Sequence, residues 1–176
     1  LETLQLKGRY TKYQKTLDAF LFCCYAGMRY SDFVNMKPDN IVEMHQETWL
    51  IYKSIKTGTE VRLPLYLLFS GKGILILNKY QANLQDFFHL RDNSNVNKEL
   101  IIIARLAGVA KKVSFHTARH TNATLLIYNG VNITTVQKLL GHKSVKTTQI
   151  YTNVMDATII SDLEKNHSSV HRKKGK

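Results

Sequence analysis

Residues 116–120 read His-Thr-Ala-Arg-His. Residues three and four apart share a helix face, so on a helix His116, Arg119 and His120 converge on one side. The set is not a zinc-protease motif, because Thr117 stands where the general-base Glu would follow the first His. A guanidinium beside imidazoles suits a phosphate instead: the planar fork grips two oxygens, and an imidazole moves a proton near neutral pH. Taken alone, the short segment is better read as a solvated helix face with one packed histidine. No Gly-rich nucleotide loop, carboxylate cluster or Cys/His metal set accompanies it, so the sequence assigns no cofactor and no metal.

The elements that must position these residues are legible from patterning. Leu17, Phe20, Leu21 and Cys24 fall at i, i+3, i+4 and i+7, which predicts an amphipathic helix from about Thr11, ended by Gly27 in the left-handed conformation. Arg29 then lies in a tight corner before a short helix capped by Ser31 and running to about Met36, with Pro38 forbidding continuation. Ile41–Met44, Trp49–Ile55 and Val61–Leu65 are β-rich, and the last two flank a Gly-bearing loop that puts Lys56 at the turn of a small antiparallel sheet. Signals weaken between Leu65 and Asn95, with helices expected at Ile74–Tyr80 and Asn95–Ala107.

Ser114 caps the helix bearing His116, Arg119 and His120, which stops near Asn129-Gly130. Asn132 caps the next, whose apolar stripe is Ile133, Val136, Leu139 and Leu140 and whose end is Gly141; Ser144 opens another short helix leading to Tyr151. Met155, Ile159 and Leu163 mark a last amphipathic segment, and the polar tail 166–176 is expected to be disordered. The fold class expected is α+β, mainly α: one domain over 1–165 and a basic tail over 166–176.

Composition narrows the partner. Among 176 residues, 25 Lys and Arg against 13 Asp and Glu give a net charge of +12, which points to a polyanion, most often nucleic acid. Two prolines and 44% hydrophobic residues exclude collagen-like or low-complexity material. Cys23 and Cys24 are adjacent and flanked by apolar residues, as buried thiols of a reducing compartment would be. Neither a membrane span nor a secretory signal is present, so a cytoplasmic, nucleoid-associated location and no membrane partner are expected.

Ala26-Gly27-Met28-Arg29-Tyr30-Ser31-Asp32, the hairpin Lys56, His116-xx-Arg119-His120, Leu139-Leu140-Gly141-His142 and Thr148-Gln149-Ile150-Tyr151 occur in that order. Together they resemble the catalytic domain of the tyrosine recombinases, the phage-integrase family, from about Thr11 to Val154. His142 follows Arg119 by 23 positions and precedes Tyr151 by nine, which suits that pattern. The resemblance implies a helical bundle with a small three-stranded antiparallel sheet. It also implies site-specific DNA cleavage and rejoining through a 3′-phosphotyrosyl intermediate, without ATP or Mg²⁺. Tyr151 would be the nucleophile, Arg29 and Arg119 the phosphate clamp, Lys56 the acid for the leaving 5′-oxygen, and His116 the acid–base group. His142 would hydrogen-bond the phosphate. Asp32 and His120 would support an arginine and the helix, although both positions suit a helix-start charge and a packed core histidine equally well. Lys53 competes with Lys56, because the hairpin lacks the Gly-Lys-Gly turn of many family members.

Two rivals remain at this level. Asn132–Gln149 also reads as helix, Gly-bearing turn, helix, the pattern of a DNA-binding regulator without catalysis. A type IB topoisomerase-like enzyme uses similar tyrosine chemistry. The resemblance further implies a double-stranded DNA partner, a homotetramer on DNA, and accessory DNA-bending or directionality proteins. It implies too that the chain is the catalytic part of a longer integrase of a phage or conjugative element, lacking the N-terminal core-binding domain.

Overall fold

Helix α1 (Gln14–Ala26) is the centre of the fold, in a computed structural model that describes residues 1–151. Its spacing predicts one apolar face, yet ten of its thirteen residues are buried, because α3 (Lys72–Lys79), α5 (Asn93–Leu106) and α6 (Phe115–Tyr128) pack around it. Its buried Asp18 is satisfied by Lys79 Nζ at 3.2 Å and by the Tyr80 hydroxyl at 2.8 Å. Phe22, Phe33, Phe87, Phe88 and Phe115 form a fully buried aromatic cluster in which Phe87 meets Phe22 and Phe33 edge-on and Phe88 meets Phe33 edge-on. Each such side chain contributes about 1.5–3 kcal/mol by leaving water.

This cluster explains two departures from the sequence reading. The short helix after the Arg29 corner is a single turn, α2 (Tyr30–Phe33), with Arg29 rather than Ser31 at its N-cap, and it ends three residues before Met36. Phe33 and Tyr30 are drawn onto Phe115 and the burial of Phe33 sets the turn, so the cap residue does not decide it. Helix α4 (Leu84–Phe88) was not expected at all; it exists to bury Phe87 and Phe88, with Asn83 accepting the Asp86 N–H as its cap.

The sheet is antiparallel in the order β1 (Ile41–Met44), β2 (Glu47–Lys53), β3 (Glu60–Pro64). Leu50 and Tyr52 face the interior opposite Leu63 and Val61, and Lys53 pairs with Glu60. The strands therefore stop sooner than expected, and the turn spans Ser54–Thr59, closed by Ser54 N–H to Thr59 O at 2.9 Å and Gly58 N–H to Ser54 O at 2.7 Å.

Helix α7 (Ile133–Leu140) ends as expected at Gly141, whose φ of +62° favours glycine. A Cβ there would lie 2.6 Å from Val61 Cγ2, so α7 sits directly against the hairpin. The helix expected after Ser144 is instead two 3₁₀ turns, Val145–Thr147 and Gln149–Tyr151. Ser144 does cap the first of them, accepting the Lys146 N–H. Within Asn132–Gln149, the second helix that the regulator reading calls for is the three-residue 3₁₀ turn Val145–Thr147. The amphipathic segment around Met155 and the tail lie outside the described residues. Among the described residues no helix is long and apolar enough to cross a membrane.

Candidate active site

Helix α6 begins at Ser114, whose N–H donates to Thr117 Oγ1 at 3.1 Å in a capping box. Its inward face carries Arg119, only 1% exposed. The guanidinium is held by two backbone carbonyls: Nη1 donates to Gly27 O at 2.7 Å and Nη2 to Leu140 O at 2.6 Å. These are the last carbonyls of α1 and α7, where the helix dipole is negative and intrahelical donors have run out. Burial, then the neighbouring Arg29, pulls the Arg119 pKa down to about 10, so it remains a cation at neutral pH. Asn122, one turn on, donates to Cys24 O and Tyr25 O at 3.0 and 2.9 Å and fixes α6 on α1. Gly27, at φ +67°, leaves no room for a Cβ, which would meet Asn122 Oδ1 at 2.6 Å.

Arg29 leaves the same corner. Its Nη1 donates to Ser54 Oγ at 3.1 Å and lies 3.5 Å from Asp32 Oδ2. Asp32 is buried and accepts the Ile55 N–H at 2.8 Å and the Ser54 hydroxyl at 3.2 Å. Asp32 therefore ties Arg29 to the hairpin instead of decorating a helix start. Behind them stands the Tyr52 hydroxyl, buried and without a hydrogen-bond partner among the described residues; burial pushes its pKa well up.

His142 is buried just after Gly141, its Nδ1 2.9 Å from Thr148 Oγ1. Burial, then Arg119 and Arg29, lowers its pKa to about 4, so the ring is neutral at pH 7. With Nδ1 occupied, Nε2 is the nitrogen that can meet a phosphate oxygen. His116 is likewise lowered, by burial and then by His120, Arg119, Arg29 and Lys56. Its ring stands edge-on to His120 at 4.4 Å, and His120 in turn faces the Tyr151 ring at 5.3 Å. Burial raises the Tyr151 phenol above its ordinary value while Arg119 and Arg29 oppose that rise.

Arg29, Lys56, His116, Arg119, His120, His142 and Tyr151 thus gather in one place. Lys56 is exposed in the hairpin turn, with its charge felt at His116. Lys53 ends β2 and lies along the turn near Gly58. Sequence reasoning assigned nothing to Ser54, Thr148 or Asn122. Ser54 was findable by strand alternation, two positions beyond inward-facing Leu50 and Tyr52. Thr148, fully buried, carries no signal of its own in a Thr-rich segment. The arrangement is a strongly positive, partly desolvated recess with neutral imidazoles and one phenol, the environment a phosphodiester under nucleophilic attack requires.

Known proteins share this architecture. The family model described as the phage integrase family matches residues 5–158. Tyrosine recombinase XerC of Rickettsia bellii (strain OSU 85-389) is 31% identical over 163 residues, covering 87% of this chain and 50% of the relative. The structure of XerH site-specific recombinase bound to a palindromic difH substrate superposes with a TM-score of 0.66 at 19% identity, covering 95% of this chain and 48% of that one. The Tn1549 transposon integrase in complex with a circular intermediate DNA gives a TM-score of 0.64 at 14% identity, covering 91% and 61%. The chain spans about half the length of the curated relatives it matches. The mainly helical fold with its three-stranded antiparallel sheet is that of tyrosine recombinase catalytic domains, and the chain belongs to the phage integrase family.

Proposed function

We propose that this chain is the catalytic domain of a tyrosine site-specific recombinase that integrates or excises a mobile element. Tyr151 attacks a DNA phosphate in line: its Oη–phosphorus bond forms as the phosphorus–O5′ bond breaks, giving a 3′-phosphotyrosyl link and a 5′-hydroxyl. Arg29 and Arg119 hold the non-bridging oxygens with fixed forks, and His142 Nε2 adds a hydrogen bond. The tyrosine proton leaves toward neutral His116, past His120, whose ring touches both. Lys56 protonates the departing O5′. Rejoining runs the same steps backwards on a new 5′-hydroxyl, so phosphodiester energy is conserved. The longer protein works as a homotetramer on duplex DNA.

The observation that carries this reading is the buried Arg119, locked by two helix C-termini beside Arg29, Tyr151 and two imidazoles that burial, with those arginines, keeps neutral. The test is incubation with a nicked suicide duplex in EDTA, followed by denaturing electrophoresis. A covalent protein–DNA adduct with a free 5′-hydroxyl is expected; an adduct abolished by EDTA, or a 5′-linked one, would refute the mechanism.

The DNA path is expected to continue over a groove of about 450 Å³ between the start of α1 and α5, edged by Lys12, Arg91 and Lys98. Tyr30 donates to Arg91 O at one edge, and the Phe115 N–H donates to Asn97 Oδ1 at 2.7 Å nearby, so the groove adjoins the start of α6. Its one acid, Glu99, is already engaged by Thr16. The double variant Lys12→Gln, Lys98→Gln should weaken binding to all sequences alike and reduce the slope of log K against log salt by about 0.9 per lost contact. Titrations at several salt concentrations measure this, and an unchanged slope places the backbone elsewhere.

A further inference from the structure

We infer that Thr57 is a positioning residue: its hydroxyl latches the turn that carries Lys56 onto the C-terminal end of α7. The inference rests on the proposed function, in which Lys56 is the acid. Thr57 Oγ1 donates to Gly141 O at 3.1 Å, across 84 positions of sequence. The carbonyls at the end of α7 lack intrahelical donors and must be met from outside. Arg119 meets Leu140 O, and Thr57 meets the next one, Gly141 O.

The other flank of Lys56 is pinned as well. The Ile55 N–H donates to Asp32 Oδ1 at 2.8 Å, and Asp32 pairs with Arg29. Residues 55 and 57 are thus fastened to the two arginine centres, one through Asp32 and one through the Leu140-Gly141 corner that also presents His142. The close fit of Val61 against Gly141 leaves the hairpin no room to slide inward. Lys56 itself is a long, exposed side chain that loses much rotamer freedom when held still, so where its backbone is anchored decides how often its ammonium reaches O5′. A hydroxyl at position 57 supplies the anchor that a glycine there could not.

The chemical test exploits the leaving group. In cleavage, O5′ must take a proton from the Lys56 ammonium; a 5′-bridging sulfur leaves as a thiolate and needs none. Single-turnover cleavage of matched oxygen and sulfur suicide duplexes is measured for the unaltered chain, Lys56→Ala, Thr57→Val and Thr57→Ser. Thr57→Val should slow the oxygen substrate by up to about 100-fold, the cost of a displacement of about 1 Å, and leave the sulfur substrate within about threefold. Thr57→Ser should restore both. Equal slowing of both substrates by Thr57→Val, or no slowing of either, overturns the latch. Lys56→Ala that slows both substrates equally overturns instead the assignment of the acid. Amide exchange then judges the latch alone: Thr57→Val should speed exchange at Gly58 and Thr59 by about tenfold with the β2–β3 ladder unchanged, and identical exchange sinks it.

Discussion

Tyr151→Phe should abolish the covalent protein–DNA adduct, a loss of more than about 10³-fold, while leaving the fold and DNA binding intact. The substitution removes one oxygen from a half-buried ring whose edge-on contact with His120 persists without it. Nine tyrosines compete for the role, and the structure separates them. The Tyr25 and Tyr80 hydroxyls are bound to carboxylates, and that of Tyr30 to a backbone carbonyl. Tyr52 feels both arginines but is sealed in the interior beside Asp32. Tyr151 alone combines partial exposure, the pull of Arg119 and Arg29, and contact with the histidine pair. Burial raises its phenol, so in the proposed mechanism it would attack from the neutral hydroxyl and depend on a base. His116, lowered from 6.5, stays able to accept a proton on the acid side of that value, so adduct formation should decline only below it. An adduct of undiminished yield in the phenylalanine variant would transfer the nucleophile to another residue.

Local signals carried much of this. Gly27 and Gly141 mark the helix ends that cradle Arg119, and the apolar stripe of α7 sits where its period puts it. Those marks are written in single residues, through φ above zero and 3.6-residue spacing. What escaped depends on distant partners. The single turn of α2 and the whole of α4 answer to the aromatic cluster, where Phe33, Phe87 and Phe88 are buried regardless of weak local propensity. Strand β2 stops short of its expected end because Ser54 and Ile55 are claimed by Asp32 and Arg29, contacts more than twenty positions away. Thr148 and Thr57 are ordinary residues in Thr-containing segments until the fold sets one against His142 and the other against Gly141. The charged residues of the site were legible; the uncharged hydroxyls and amides that aim them were not.

Arg119→Lys preserves the charge and should still cost more than about 10³-fold in adduct formation. In the proposed mechanism Arg119 has two tasks for one planar group. Two of its N–H donors bind Gly27 O and Leu140 O, and the rest of the fork is thereby fixed toward the recess shared with Arg29 and His142. An ammonium is a compact point donor: it can approach one carbonyl, but it cannot span both and also present a second edge to a phosphate. The carbonyl it abandons is the buried end of a helix, and the lysine charge itself is poorly solvated, so stability should fall by about 3 kcal/mol. Thermal unfolding measures that part, and cleavage is compared at a temperature where both chains are folded. Arg29→Lys is the control for geometry without the structural burden, since its side chain is 15% exposed and, among the described residues, bonds side chains (Ser54 and Asp32) instead of helix-end carbonyls. It should lose cleavage with little loss of stability. If instead a folded Arg119→Lys chain cleaves within about tenfold of the parent, the guanidinium serves the packing of α1, α6 and α7 alone, and the clamp on the phosphate must be Arg29 without it.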